Sequence, residues 1–100
     1  MTYTEAINSS KVVLVEFFAS WCPHCQRMMP IVDEVKQILG DKAKVIQLDI
    51  DENQEAANEA GVQSIPTFIA YLDGKEEWRQ SGEMPGEEIV ENVEKVIKKA

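Results

Sequence analysis

The sequence predicts an α/β fold in which a four-stranded mixed sheet carries helices on both faces. Residues 11–19 contain a continuous apolar and β-branched run, which is typical of a strand buried on both sides in a parallel sheet. A long helical pattern and a second strand follow, which implies a right-handed crossover and a parallel pair. The Asp73-Gly74 dipeptide then predicts a hairpin that adds two antiparallel strands.

The first two helices are predicted from capping residues and from apolar spacing. We expect Thr4 to cap a short helix that ends at Ser9 or Ser10. The second helix is predicted over residues 23–39, because apolar side chains recur there at helical spacing. Gly40 follows it as a stop signal.

A strand and a third, short helix follow in the middle of the chain. The strand is predicted at residues 43–48, which contain the apolar Val45, Ile46 and Leu48. We expect Asp49 or Asp51 to cap the helix, which should end near Gly61.

Two strands and a helix complete the predicted order. The strands cover residues 67–72 and 75–81, on either side of the hairpin turn. The last helix runs from about Pro85 to Lys99, with glutamates early and lysines late, which complements the helix dipole. Its predicted apolar face consists of Ile89, Val90, Val93, Val96 and Ile97.

Length and charge limit the classes of protein that remain. A chain of 100 residues has the size of one ordinary domain, so we expect residues 1–100 to form a single domain. A net charge of -8 argues against nucleic acid and anionic membranes as partners. No apolar run approaches the length of a membrane span, and we expect no signal peptide. We therefore expect a cytoplasmic monomer, with a periplasmic or extracellular protein whose signal has been removed as the alternative.

The only two cysteines, Cys22 and Cys25, stand between the first predicted strand and the second helix. This spacing allows a disulfide within one helical turn, and the helix start stabilises a thiolate on Cys22. Pro23 fits the first helical position, where its missing N–H costs nothing. We expect Cys22 to be an exposed nucleophile and Cys25 a more buried resolving thiol. A structural disulfide or a pair of inert core thiols is the alternative.

Several further features stand in register with the cysteines over most of the chain. They are Phe17-x-Ala19-x-Trp21-Cys22-x-x-Cys25, Pro30, Asp49-Ile50-Asp51, Val62-x-Ser64-Ile65-Pro66-Thr67, the Asp73-Gly74 turn and Gly82. With these features the chain resembles the thioredoxin family from about residue 12 to residue 97. The resemblance implies the thioredoxin fold and disulfide exchange with other proteins through a redox-active disulfide.

The chain departs from the family pattern at several positions. Pro23 and His24 stand where thioredoxins usually carry Gly-Pro, and they form the dipeptide of periplasmic thiol-oxidising Dsb-type proteins. The buried acid is Glu16 rather than Asp, and Gln47 stands where members often place a lysine. The segment before Val12 looks too short for the family's first strand, so a fifth strand is only the alternative.

Two titratable side chains are candidates for tuning the cysteines. Glu16 lies in an apolar strand, and burial should raise its pKa, which makes it a candidate proton acceptor for Cys25, through a water. An outward-facing carboxylate at a strand edge is the alternative. His24 would favour the Cys22 thiolate and so make the disulfide more oxidising. A surface histidine without a role is the alternative.

The resemblance also implies a cis Ile65–Pro66 peptide bond that faces the cysteines. We expect Trp21, Ile65, Pro66 and Gly82 to form a shallow apolar groove for extended protein substrates. Core packing is the alternative for Trp21. We expect no cofactor and no metal, because an ordinary zinc site needs four ligands and the chain has no second pair of cysteines.

We therefore predict a protein-disulfide oxidoreductase, chiefly a thioredoxin-like reductase in which Cys22 attacks and Cys25 resolves. The expected partners are protein disulfides or dithiols and a partner reductase or oxidase that supplies or accepts electrons. A more oxidising Dsb-type oxidase or isomerase is one alternative. A redox-linked binding module without turnover is another.

Overall fold

A computed structural model describes residues 1–100 and has the predicted order of elements. The strands are β1 (Val12–Phe18), β2 (Lys44–Asp49), β3 (Thr67–Leu72) and β4 (Lys75–Ser81). The helices are α1 (Tyr3–Ile7), α2 (Pro23–Leu39), α3 (Gln54–Glu59) and α4 (Gly86–Lys98), with a short 3₁₀ turn at Gly40–Lys42. None of these helices is long and apolar enough to cross a membrane.

The sheet has four strands in the order β2-β1-β3-β4. β1 pairs in parallel with β2 and antiparallel with β3, and β3 pairs antiparallel with β4. The alternative of a fifth strand is wrong, because the segment before β1 forms the helix α1. In this strand order β1 lies inside the sheet, and Glu16 stands between Gln47 of β2 and Phe68 of β3.

Each face of the sheet has its own core, because successive strand side chains point to opposite faces. The core under α2 and α4 includes Val12, Leu14, Phe68, Ala70, Met28, Val32, Val35, Ile89 and Val93. The core on the face of α1 includes Tyr3, Val13, Val15, Phe17, Ile69 and Tyr71, with Ala56 and Ala57 of α3 packed against it. Glu16 has the same parity as Leu14 and therefore points toward α2.

The first helix is capped by Thr2 and not by Thr4. The Thr2 hydroxyl accepts a hydrogen bond from the Glu5 backbone N–H at 3.1 Å, and the Glu5 carboxylate accepts one from the Thr2 N–H at 2.8 Å. This reciprocal capping box satisfies two N–H groups at once, so it outcompetes a cap inside the segment. The helix ends at Ile7.

The third helix begins after Asn53, so the expected cap by Asp49 or Asp51 is wrong. The Asp49 carboxylate instead accepts from the Asp51 N–H at 2.8 Å, and the Asn53 amide donates to the Asp49 carbonyl at 3.0 Å. These bonds stabilise the turn before the helix. The helix ends at Glu59.

Candidate active site

The two cysteines lie where β1 passes into α2. Cys22 is the N-cap of α2, and Pro23 occupies its first turn. Both cysteines are free thiols, and they lie 3.2 Å apart. The local sequence suffices to place them this way, because Pro at the first helical position needs no hydrogen-bond partner for a backbone N–H.

Cys25 is more buried than Cys22, as expected, but Cys22 is not freely exposed. The exposed fraction is 5% for Cys22 and 1% for Cys25. Both pack in a small cluster with Ala19, and the half-buried Phe18, Ile50 and Ile65 close around it. The expectation of an exposed sulfur is therefore wrong, because segments distant in the chain cover the start of the helix.

The surroundings shift the pKa of the two thiols in opposite directions. Burial opposes the ionisation of Cys22, but the pKa of Cys22 still lies below the usual value. It is lowered by hydrogen bonds from the Cys25 backbone and thiol, by one from the His24 backbone, and by the charge of Arg27. Burial, together with the nearby Cys22 and Glu16, raises the pKa of Cys25 to about 12. Near neutral pH, Cys22 is therefore the thiol that ionises more readily.

Glu16 is buried beneath the cysteines, with only 1% of its surface exposed. Its Oε1 accepts a hydrogen bond from Gln47 Nε2 at 2.9 Å, whereas its Oε2 has no partner. Burial raises the pKa of Glu16, and Asp33 adds to the rise, whereas the Gln47 bond and the charge of Lys36 oppose it. An outward-facing carboxylate at a strand edge is excluded, because β1 lies between two other strands.

His24 lies beside the cysteines, but its imidazole contacts Glu83. The His24 Nδ1 lies 2.6 Å from Glu83 Oε2. The Arg27 guanidinium donates to the same carboxylate through Nε at 3.1 Å and Nη2 at 2.7 Å. Hydrogen bonds from Arg27 and then His24 lower the pKa of Glu83 to about 2. Sequence reasoning missed Glu83, and its only signal was its place directly after Gly82.

The loop before β3 faces the cysteines, and its Ile65–Pro66 bond is cis, as expected. The Gly82 N–H donates to the Pro66 carbonyl at 2.8 Å, which holds the loop after β4 against the loop before β3. Ile65 is half-buried and packs on the cysteine cluster, whereas Pro66 is buried. Of these residues, Ile65 and Gly82 form part of the accessible surface.

Two shallow grooves flank Ile65. One, of about 460 Å³, is lined by Trp21, Ile50, Ala57, Val62 and Ile65 together with polar side chains. The other, of about 420 Å³, is lined by His24, Ser64, Ile65, Ser81, Gly82 and Glu83. Trp21 is 63% exposed and its Nε1 donates to Asp51 at 2.8 Å, so it is not a core residue. No group of three or more His, Cys, Asp and Glu side chains is arranged to hold a metal ion.

Comparison with known proteins identifies the family. The model of the thioredoxin family matches residues 1–95. The chain belongs to the thioredoxin family. It is 42% identical over 90 residues to the thioredoxin of Bacillus subtilis (strain 168), covering 90% of this chain and 86% of that protein.

Two further thioredoxins agree with this assignment. The chain is 38% identical over 93 residues to the chloroplastic thioredoxin Y of Oryza sativa subsp. japonica, covering 93% of this chain. It spans about half the length of that relative, 55%. The X-ray structure of Fasciola hepatica thioredoxin superposes with a TM-score of 0.82 at 31% identity, covering 91% of this chain and 88% of that one.

Family membership confirms the predicted thioredoxin fold and the general activity. The chain is a protein-disulfide oxidoreductase that catalyses thiol–disulfide exchange. Membership in the thioredoxin family implies protein disulfides as substrates and a reductase as electron partner. These comparisons give no support to the more oxidising Dsb-type alternative.

Proposed function

We propose that this thioredoxin is a disulfide reductase in which Cys22 attacks and Cys25 resolves. The observation that carries these two roles is the opposite pKa shift of two thiols 3.2 Å apart, lowered for Cys22 and raised to about 12 for Cys25. The reducing direction is inferred from membership in the thioredoxin family. The Cys22 thiolate bonds to one substrate sulfur, and the other substrate sulfur leaves as a thiolate. Cys25 then attacks the Cys22 sulfur and releases the second substrate thiolate, so the substrate gains two electrons.

Glu16 is the proposed proton acceptor for Cys25. Cys25 must lose its proton before it can attack, and its raised pKa makes that loss unfavourable without a base. Glu16 is buried nearby, its pKa is raised toward the working range, and its Oε2 has no partner within the protein. The proton passes from Cys25 to Glu16 through an intervening water.

The substrate is proposed to bind along the groove beside the cysteines. Ile65 and Trp21 provide the apolar contacts, and Gly82 leaves space on the other side. An extended substrate strand pairs with the Ile65 backbone, which places its disulfide over Cys22. Pro66 shapes this loop from below and Pro23 holds the start of α2 rigid.

We propose that residues 1–100 act as a single domain and a monomer, with protein disulfides as substrates and a partner reductase as electron source. A cytoplasmic location agrees with bacterial relatives such as that of Bacillus subtilis. The strongly acidic surface, with a net charge of -8, favours basic surfaces on these partners.

Reduction of insulin with dithiothreitol as electron source tests the activity. The wild type should accelerate insulin reduction, and Cys22→Ser should abolish the acceleration. Cys25→Ser should still attack but should accumulate a mixed disulfide that a non-reducing gel detects. A wild type without turnover would support a redox-linked binding module instead.

Equilibration of the wild type with glutathione tests the direction. A reduction potential well below that of the glutathione couple is expected of a reductase. A potential well above it would overturn the reductase assignment and leave the general exchange activity in place.

A further inference from the structure

The Arg27 charge and the His24 backbone act on Cys22, but the Glu83 carboxylate that binds both side chains has no role in the thiol exchange described above. His24 and Arg27 lie in the first turns of α2, directly after the N-cap Cys22. We propose that Glu83 sets the reduction potential of the cysteine pair by neutralising the positive charge of Arg27 and by binding the His24 imidazole. The proposal rests on the proposed function of Cys22 as the nucleophilic thiolate, and Glu83 is a positioning residue for that reaction.

The loop that carries Glu83 is anchored on the cysteine side. Glu83 follows Gly82, whose N–H donates to the Pro66 carbonyl at 2.8 Å. Two residues further along, Pro85 is the N-cap of α4. The loop is therefore attached at both ends, which holds the Glu83 carboxylate opposite α2.

The hydrogen-bond geometry ties both basic side chains to one carboxylate. Arg27 Nε lies 3.1 Å from each Glu83 oxygen, and Arg27 Nη2 lies 2.7 Å from Oε2. Arg27 Nη2 also lies 2.9 Å from His24 Nδ1, which is itself 2.6 Å from Glu83 Oε2. Guanidinium only donates and carboxylate only accepts, so Glu83 can accept from Arg27 and also from a proton on His24 Nδ1. With that proton in place, the approach of Arg27 Nη2 to Nδ1 is not a hydrogen bond, and Nδ1 is held by Glu83 and not by the Cys22 sulfur.

The charges near Cys22 determine how oxidising the disulfide is. A positive charge beside the sulfur stabilises the thiolate and so the reduced form, which makes the disulfide easier to reduce. Arg27 supplies such a charge, and the His24 backbone N–H and the Cys25 groups add hydrogen bonds. The Glu83 carboxylate cancels the Arg27 charge and contacts His24, so the cluster favours the thiolate less than its two basic residues would alone. The Cys22–Cys25 pair can therefore remain reducing although Pro23 and His24 lie between the two cysteines.

Glu83→Gln tests the proposal, because its amide oxygen still accepts from Arg27 while the negative charge is lost. The measurement is the equilibrium in which the protein disulfide and two glutathione molecules give the protein dithiol and one glutathione disulfide. The equilibrium constant should rise about threefold to tenfold, where tenfold corresponds to ~30 mV for a two-electron couple. The pH titration of the thiolate absorbance should show ionisation of Cys22 at lower pH.

Two further variants separate this effect from others. Glu94→Gln makes the same change of formal charge at an exposed position of α4, and its equilibrium constant should equal that of the wild type. Arg27→Gln leaves the Glu83 charge without its main partner, so its equilibrium constant should fall. A loss of structure would move both cluster variants in the same direction, whereas the proposal requires opposite directions.

The outcomes are distinct from those of the reductase test. An unchanged or lowered equilibrium constant in Glu83→Gln overturns the proposal, and so does an equal rise in Glu94→Gln. If Glu83→Gln fails to fold, an Arg27→Gln constant at or above the wild-type value overturns it. The reductase assignment is judged by the wild-type potential and by insulin turnover, neither of which depends on these differences.

Discussion

Replacement of Glu16 by Gln should make the protein more stable at alkaline pH and slower in catalysis. The wild-type carboxyl is buried, its Oε1 accepts a hydrogen bond from Gln47 at 2.9 Å, and its Oε2 has no partner. Glutamine has nearly the same shape, and its amide oxygen can keep the bond from Gln47. The substitution therefore removes the ionisation and leaves the packing in place.

The sign of the effect follows from the raised pKa of Glu16. Burial is the main cause of the rise. At pH values between the unfolded pKa near 4.5 and the higher folded pKa, the native state therefore binds more protons than the unfolded state. The stability that this proton contributes is complete below the unfolded pKa and is lost as the pH rises through the folded pKa. The Gln amide removes the charge but keeps a polar group in the place of Oε2, so the gain comes from the lost ionisation. At pH 8, Glu16→Gln should therefore exceed the wild type by about 1.4 kcal/mol for each unit by which the folded pKa lies above the unfolded one. The difference should be smaller at pH 5.

Urea unfolding of the reduced proteins, followed by tryptophan fluorescence, measures this difference. The other charged groups, including Lys36 and Asp33, which face Glu16 from α2, are the same in both proteins, so their contributions cancel. In thermal unfolding, each kcal/mol should move the Tm by roughly 4–8 °C for a domain of this size. Glu94→Gln is the control, and its stability should not differ from that of the wild type in this pH-dependent way. A stability difference between Glu16→Gln and the wild type that is equal at both pH values, or smaller at pH 8, would refute the argument.

Three further substitutions test other contacts of the structure. Gln47→Leu removes the bond that favours the Glu16 carboxylate, so the pKa of Glu16 should rise. The pH profile of mixed-disulfide resolution, measured by stopped flow, should then move to higher pH. An unmoved profile counts against Glu16 as the base. Tyr3→Phe leaves the Tyr71 hydroxyl without its 2.6 Å partner and should cost about 1–3 kcal/mol in urea unfolding, which a wild-type midpoint would contradict. Gly74→Ala forces a side chain into a turn with φ of +79° and should lower stability by about 1–2 kcal/mol, and an unchanged Tm would show that the turn adapts.

Local signals were sufficient for most of the fold. The bounds of α2, β3 and β4 agree with the sequence prediction, because a proline start, a glycine stop and an Asp-Gly turn act within a few residues. The caps of α1 and α3 were predicted wrongly. Several polar side chains near each helix start can cap it. At α1 the reciprocal bonds of Thr2 and Glu5 decide the cap, whereas before α3 Asp49 and Asn53 bond within the preceding turn and no side chain caps the helix.

The candidate site was predicted where its residues adjoin in sequence. Cys22, Pro23 and Cys25 occupy one turn of a helix, so their geometry follows from the motif itself. The cover over Cys22 was not predicted, because Ile50 and Ile65 come from loops that are distant from it in the chain. Burial of Glu16 was expected, but its specific partner Gln47 became certain only with the parallel register of β1 and β2.

The sequence by itself determined the order of elements, the alternating core positions and the dithiol at a helix start, because these depend on spacing along the chain. Only the tertiary structure decided which side chains surround that dithiol. His24 meets Glu83 across 59 residues of sequence, and Glu16 meets Gln47 across 31. The pKa of each thiol depends on charges and burial within a few ångströms, and that environment is assembled from segments that come together only when the sheet and its helices pack.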